Sequence, residues 1–101
     1  MVIRALDIVA RCDTAEDGRA VGNSLREQLA HGTLVEFSFD GVFDVPSSFV
    51  NTAIVPLFIE FGSDFVRSHL KITDATRQIA DMIRRCVANG TRGTGVFRQA
   101  G

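Results

Sequence analysis

Two adjacent serines, Ser47 and Ser48, are the residues of this chain whose type and placement best suit chemistry. They follow Val45–Pro46, and an X-Pro pair holds its first residue extended, so an extended segment should end there. A serine at the start of a helix either caps it with its hydroxyl oxygen or presents the hydroxyl to solvent. The pair therefore has two interpretations: the serines cap the helix, or they present their hydroxyls to solvent. In both, Ser48 should be exposed in the first helical turn.

The stretch 35–61 positions these serines. Residues 35–40 alternate apolar and polar side chains, which is typical of a half-buried strand, and Asp40–Gly41 ends that strand. A helix capped by Ser47 or Ser48 should follow and run to Phe61, with a kink or break at Pro56. The serines thus lie where a strand passes into a helix.

Strand and helix patterns flank this junction on both sides. We expect a first strand over 2–10, a helix from a cap at 14–17 to a stop at 31–32, a turn at 65–66, a strand at 69–72, and a helix from 73–74 to 89–90. Three successive strand–helix units predict a small single-domain α/β fold whose short sheet is covered by about three helices. Periodicity does not determine the strand order. The domain should span 1–90, with a Gly-rich flexible tail over 91–101.

Gly18 and Gly22 fall on the apolar stripe of the first long helix. Glycine weakens a helix by about 1 kcal/mol per residue, so we expect both to permit close approach of this helix to the sheet. A phosphate-binding loop is the alternative, but no lysine or Gly-rich loop accompanies them.

Composition limits the classes of function. The 101 residues suit one domain, and a net charge of −1 gives no overall attraction to nucleic acid or anionic membranes. Cys12 and Cys86 have neither metal-site nor disulfide-framework spacing, so we expect reduced thiols in a cytoplasmic protein. No segment has the roughly 18 apolar residues of a membrane span. The pattern predicts no metal site and no cofactor.

The segment Phe37–Val42, the serine pair with Phe49, and the apolar helix after them resemble the STAS-like domains of unknown function. These are related to sulfate-transporter and anti-sigma-factor antagonist (STAS) domains. The resemblance runs from about Thr14 to Val87 and implies a small, mostly parallel sheet. In the antagonists a partner kinase, typically a histidine-kinase-like ATPase, phosphorylates a serine in the strand–helix loop. Ser48 is the best match to that serine, with Ser47 beside it.

Two other classes of function, catalysis and nucleic-acid binding, have candidate residues in the sequence. Ser48, His31 or His69, and Asp40 or Asp44 could form a catalytic set on paper, but the glycine-flanked nucleophile turn of hydrolases is absent. Four arginines after Asp81 could contact nucleic acid or simply form a solvated helix end: Arg84, Arg85, Arg92 and Arg98. We therefore predict a non-catalytic protein, with a nucleic-acid-contacting or enzyme-accessory role as the alternative.

The helix after the serines is apolar on more than one side. Phe49 belongs to its buried stripe, whereas Val55 and Ile59 fall outside that stripe. Either a neighbouring helix covers the second side, or a partner does. We therefore predict that Phe49, Val55 and Ile59 contact a protein partner or a second copy of the chain. A carboxylate at Ser48 should then keep the fold and weaken that binding.

Overall fold

Strands and helices alternate along the chain. A computed structural model of the protein describes residues 1–100, with side chains for residues 1–91. The elements are β1 (Val2–Arg4), α1 (Ala5–Ile8), α2 (Ala15–Ala30), β2 (Val35–Ser38), α3 (Ser47–Ala53), α4 (Val55–Phe61), α5 (Ser63–His69), β3 (Leu70–Thr73) and α6 (Arg77–Ala100). The predicted α/β fold class is confirmed.

The sheet of the described residues has three strands in the order β1-β2-β3, and both pairs are parallel. Arg4 pairs with Ser38, and Ser38 pairs with Thr73, so the last residues of the three strands form one row. In a parallel sheet these carboxyl ends meet at a single edge, which we call the carboxyl edge. The loops after the strands all leave from this edge.

The first strand is shorter than predicted. It ends at Arg4, and residues 5–8 form α1 instead of continuing to Ala10. Its neighbour β2 pairs only as far as Ser38, so a longer β1 would have no strand to bond. An ion pair between Arg4 and Asp7, 3.7 Å apart, spans the helical turn that replaces the strand.

The core lies between the apolar residues of β2 and helices α2, α3 and α6. Phe37, Phe39 and Phe49 are completely buried, and the rings of Phe39 and Phe49 meet edge to face at 6.4 Å. Burying one such ring stabilises the fold by about 1.5–3 kcal/mol. These rings therefore hold the start of α3 against the sheet.

Helix α2 begins and ends where the sequence predicts. The Thr14 hydroxyl accepts the Asp17 N–H at 3.1 Å, and the Asp17 carboxylate accepts the Thr14 N–H at 3.2 Å, which completes a capping box. At the other end Gly32 adopts a φ of +77° and donates to the Leu29 carbonyl at 2.9 Å. Both boundaries depend on residues within one turn of the helix end.

Gly18 and Gly22 are buried, as predicted, but they face α3 and not the sheet. A Cβ at Gly18 would lie 2.5 Å from the Phe49 carbonyl oxygen, and one at Gly22 would lie 2.8 Å from that of Thr52. Since both obstacles are backbone atoms, no side-chain movement relieves them. The two helix backbones can approach this closely only because both positions lack a side chain.

The predicted second helix is split, as Pro56 suggested. It forms α3 and α4, which meet at Ile54, and Pro56 lies in the first turn of α4, where its missing N–H is tolerated. Residues 65–66, predicted as a turn, belong to α5.

Within the described residues no single helix is long and apolar enough to cross a membrane. The segments Ser47–Phe61 and Ser63–His69 meet that criterion only jointly, across a 114° bend.

Helix α6 starts later and ends later than predicted. Its cap is Thr76, whose hydroxyl accepts the Ile79 N–H at 3.3 Å, because the expected capping region at 73–74 is occupied by the end of β3 and its turn. The helix continues through the predicted stop at 89–90 to Ala100. The predicted tail, 91–101, falls largely on residues whose side chains lie outside the described part, so its flexibility stays a prediction.

Larger side chains at Gly22, where α2 contacts α3, are expected to destabilise the protein. Gly22→Leu should lower the free energy of unfolding by about 1–3 kcal/mol or more, through overpacking. Gly22→Ala should also destabilise the protein, although the alanine side chain is smaller than leucine. Its Cβ meets a backbone oxygen, and the cost of that contact outweighs the gain of up to about 1 kcal/mol in helix propensity. Urea denaturation measures both, with Ala20→Leu on the exposed side of α2 as control. A wild-type midpoint for Gly22→Leu would show that the two helices do not pack this closely.

The capping box at the start of α2 should make the free energy of unfolding depend on pH in the acidic range. Hydrogen bonds from the Asp13 N–H and then from Thr14 hold the pKa of Asp17 below its ordinary value of 3.8. The stabilisation is therefore fully present above that ordinary pKa and is lost as the pH falls through the folded pKa. Asp17→Asn should be less stable than wild type at pH 7 and should approach it near pH 2. Glu16→Gln is the control, and an equal gap between wild type and Asp17→Asn at both pH values would contradict the assignment.

Candidate functional site

The carboxyl edge is where ligands and partners most often meet a parallel sheet, because its loops carry polar groups that no strand uses. Arg4, Ser38 and Thr73 close the three strands there. The loop after β2, residues 39–46, leads from this edge directly to the serines.

Ser38 is the polar centre of the edge. It is only 5% exposed, and its hydroxyl donates to the Asp74 carboxylate at 2.6 Å while accepting the Asp40 N–H at 3.1 Å. Asp74 adopts a φ of +56°, which is uncommon for a residue with a side chain. The bond to Ser38 thus ties the turns after β2 and β3 to each other.

Arg4 supplies positive charge beside this centre. Its Nε lies 3.3 Å from the Asp40 carboxylate, close enough for an ion pair but without hydrogen-bond alignment. Since the Arg4 side chain is 42% exposed and that of Asp40 67% exposed, the pair contributes little to stability. The Thr73 hydroxyl, also buried at this edge, has no hydrogen-bond partner within the described residues.

The loop that delivers the serines is attached to the start of α6. The Gln78 side chain accepts the Val45 N–H at 3.0 Å and donates to the Val45 carbonyl, also at 3.0 Å. The Thr76 hydroxyl donates to the Phe43 carbonyl at 2.8 Å. The backbone just before Pro46 is therefore held in place by three hydrogen bonds from one segment of the chain.

Both serines lie in the first turn of α3 and are exposed, as predicted for Ser48. The prediction that one of them caps the helix is wrong. The cap position is Pro46, and neither serine hydroxyl has a hydrogen-bond partner among the described residues. The reason is that the extended segment ends one residue earlier than a serine cap requires, so both serines already have helical backbone. Their hydroxyls are left free for other chemistry.

The three residues predicted to contact a partner have different environments. Phe49 is fully buried and Val55 is 6% exposed, so the expectation that Val55 stands outside the buried stripe is wrong. Because α3 and α4 are separate helices, Val55 turns towards α6, where its side chain lies next to Gly90. Ile59 is 57% exposed. Of the three, it is the residue that a partner could reach on the folded chain.

The other chemical arrangements considered from the sequence are not brought together. Ser48 lies at the carboxyl edge, whereas His69 immediately precedes β3 at the opposite edge and stacks on the Phe65 ring at 4.0 Å. Within the described residues, no group of three or more His, Cys, Asp or Glu side chains could hold a metal ion. Arg84 pairs with Asp81, and the side chains of Arg92 and Arg98 lie outside the described part.

The two cysteines are free and buried. Burial, with Asp17 and Asp13 nearby, raises the pKa of Cys12 to about 11. Burial also raises the pKa of Cys86 above its ordinary value, although the Arg85 charge opposes the shift. Both thiols are therefore protonated near neutral pH and are poor nucleophiles.

Sequence reasoning missed the residues that organise this edge. Ser38 falls on the polar side of the alternating pattern at 35–40, and Gln78 lies within the predicted last helix with no local signal that distinguishes it. Their partners are 36 and 33 residues away along the chain, beyond the reach of local patterns. A polar residue within the run Phe37-Ser38-Phe39 was the available signal for a buried hydrogen bond.

Comparison with known proteins agrees with this architecture. A family model described as a STAS-like domain of unknown function matches residues 17–80, which run from the first turn of α2 through β2 and β3 into the start of α6. The match includes both serines and the loop before them. No curated protein and no solved structure matches the chain. Since the family model covers well over half of the sequence, the chain belongs to the family of STAS-like domains of unknown function.

Proposed function

We propose that this protein is a non-catalytic regulatory or scaffolding module that docks a protein partner at the carboxyl edge, and that phosphorylation of Ser48 controls the docking. The observation that carries the proposal is the free, exposed hydroxyl of Ser48, presented on a backbone that Gln78 holds in place. Membership of the STAS-like family is compatible with a regulatory role. The module would act in the cytoplasm, where its buried thiols stay reduced.

The partner in this proposal is an ATPase that also acts as a serine kinase. The Ser48 oxygen attacks the γ-phosphorus of ATP, the hydroxyl proton passes to a base of the kinase, and ADP leaves. The domain itself supplies only the acceptor. An acceptor serine must enter the kinase site, and an exposed residue directly after an ordered loop meets that requirement at little conformational cost.

A phosphate on Ser48 would be tolerated by the fold. The first turn of a helix has backbone N–H groups that no helical carbonyl uses, and an exposed phosphate remains solvated. The added charge of about −1.5 to −2 would join an acidic neighbourhood, because Gly18 packs on Phe49 and thereby brings the first turn of α2, with Glu16 and Asp17, beside α3. The first turn of α3 presents hydroxyls before phosphorylation and a negatively charged phosphate after it. A partner that fits the uncharged form would then bind less tightly. Ile59, an exposed apolar residue near the end of α4, would offer a separate contact to a protein partner or to a second copy of the chain.

Variants at Ser48 separate a switch from a passive surface residue. Ser48→Ala should leave both stability and partner binding close to wild type, because the hydroxyl makes no hydrogen bond in the free protein. Ser48→Asp and Ser48→Glu should keep the fold and weaken partner affinity by roughly tenfold or more, equivalent to about 1.4 kcal/mol. Thermal melts and titration calorimetry against the ATPase that co-purifies with the protein measure the two effects. Transfer of radiolabelled phosphate from ATP should occur to wild type and not to Ser48→Ala.

Asn89→Asp, which adds one charge at an exposed position of α6, is the control for net charge. If Ser48→Asp binds the partner as wild type does, Ser48 is not a switch. If phosphate appears on Ser47 and not on Ser48, the modification site moves by one residue and the Ser48 assignment is wrong.

The hydrogen bonds from Gln78 should be needed to order the serine loop. Gln78→Leu removes a donor and an acceptor from the Val45 backbone and should lower the free energy of unfolding by about 1–3 kcal/mol. Hydrogen exchange of the Val45 amide should accelerate, and phosphate transfer to Ser48 should slow, while Gln78→Glu, which keeps the acceptor, should be intermediate. Arg77→Leu, on the preceding exposed residue, is the control. Unchanged exchange at Val45 in Gln78→Leu would show that the loop is ordered without this side chain.

A further inference from the structure

A groove of about 270 Å³ lies between α6 and the α4–α5 segment. Its walls belong to the three helices α4, α5 and α6. The lining residues are Phe58, Ser63, Arg67, Ile83, Arg84, Val87, Ala88 and Thr91. On α6 these positions begin about 9 Å along the helix from its first residue, since each residue adds about 1.5 Å. The groove is therefore separate from the serine site.

The floor of this groove is apolar and incompletely covered. Phe58, Ile83 and Val87 pack against the core but each remains partly exposed. Ala88 and Thr91 form a low wall of small side chains on α6. Small residues beside an apolar floor allow another backbone to come close, as helix packing requires.

The charges of the groove have a single sign. Arg67 and Arg84 are its charged lining residues, and both are exposed. Arg84 pairs with Asp81 along the same helix, whereas Arg67 has no ion pair within the described residues. No acidic side chain lines the groove. An occupant that buries apolar groups here and carries carboxylates would therefore be complementary to it.

We propose that this groove docks an acidic amphipathic helix of a protein partner. At about 270 Å³ it falls slightly below the 300–1,000 Å³ of sites that enclose a drug-sized molecule, so it suits apolar side chains inserted from a larger ligand. A helix places two such side chains four residues apart on one face and its carboxylates on the flanks. The carboxylates then meet Arg67 and Arg84, one on each side of the groove. This surface is independent of Ser48 and goes beyond the proposed switch.

The test uses the whole protein and a designed helical peptide as probe. The fluorescein-labelled peptide carries leucines at positions i, i+4 and i+7 with glutamates on both flanks; a matched peptide replaces the glutamates with lysines, and a second replaces the leucines with serines. Fluorescence anisotropy should show saturable binding of the first peptide alone. Raising the salt concentration should weaken it, because the carboxylate–arginine contacts are screened.

Variants locate the site. Arg67→Glu combined with Arg84→Glu should weaken peptide binding at least tenfold, whereas Arg85→Glu, the same charge reversal on the next residue of α6 outside the groove, should have a small effect. Ala88→Trp, at an exposed helical position, should block the groove without touching either arginine; it keeps the test decisive if the double variant does not fold. Chemical shifts of Ile83 and Val87 should move on binding. Ser48→Asp should bind the peptide as wild type does, so failure here is distinguishable from failure of the switch.

Several results would overturn the proposal. They are no saturable binding of the acidic peptide, equal binding of the lysine peptide, and equal loss of affinity in Arg85→Glu and the double variant. Binding of vesicles containing phosphatidylglycerol, abolished by the double variant while the peptide fails to bind, would assign the groove to an anionic membrane surface and reject the helix. Binding of single-stranded DNA in place of the peptide would reject it equally.

Discussion

The close contact between α2 and α3 is the constraint on which the arrangement of the carboxyl edge of this domain depends. Gly18 and Gly22 give up about 1 kcal/mol each in helix propensity, yet they let the two backbones meet at distances that no side chain would permit. The contact sets the position of α3 relative to the sheet, and Phe49 then fills the space beneath it, fully buried. The first turn of α3 and its two serines are placed by this packing and not by a cap of their own.

A second set of restraints comes from residues 74–78, which run from the turn after β3 into the first turn of α6. Asp74 accepts a hydrogen bond from Ser38, Thr76 donates to the Phe43 carbonyl, and Gln78 bonds both backbone groups of Val45. These three residues therefore hold the end of β2 and the backbone of the following loop at Phe43 and Val45. Because Thr76 caps α6 and Gln78 lies in its first turn, a displacement of that helix would be transmitted directly to the serine loop.

Helix α6 consequently serves two surfaces. Its first turn orders the loop before Ser48, and its middle forms one wall of the groove that Arg67 and Arg84 border. The two surfaces differ in character. The serine edge has acidic neighbours in the first turn of α2, whereas the groove is apolar with basic borders.

The features that the sequence determined by itself are those set by interactions between residues close together along the chain. The strand that begins at Val35, the capping box at the start of α2, its glycine stop and the break near Pro56 each depend on residues that are close in sequence, and each is present in the structure. The α/β class followed from the order of these segments. The exposure of Ser48 also followed, since Pro46 limits where the helix can begin.

Only the tertiary structure decided the rest, because the deciding partners are far apart along the chain. The first strand stops at Arg4 since β2 offers no further pairing, Val55 is buried because α6 lies against it, and the glycines of α2 meet α3 instead of the sheet. Ser38 and Gln78 find their partners 36 and 33 residues away. Such contacts form when the whole chain packs, and the free energy of that packing, not the preference of any local segment, selects which polar groups are buried together and which remain exposed.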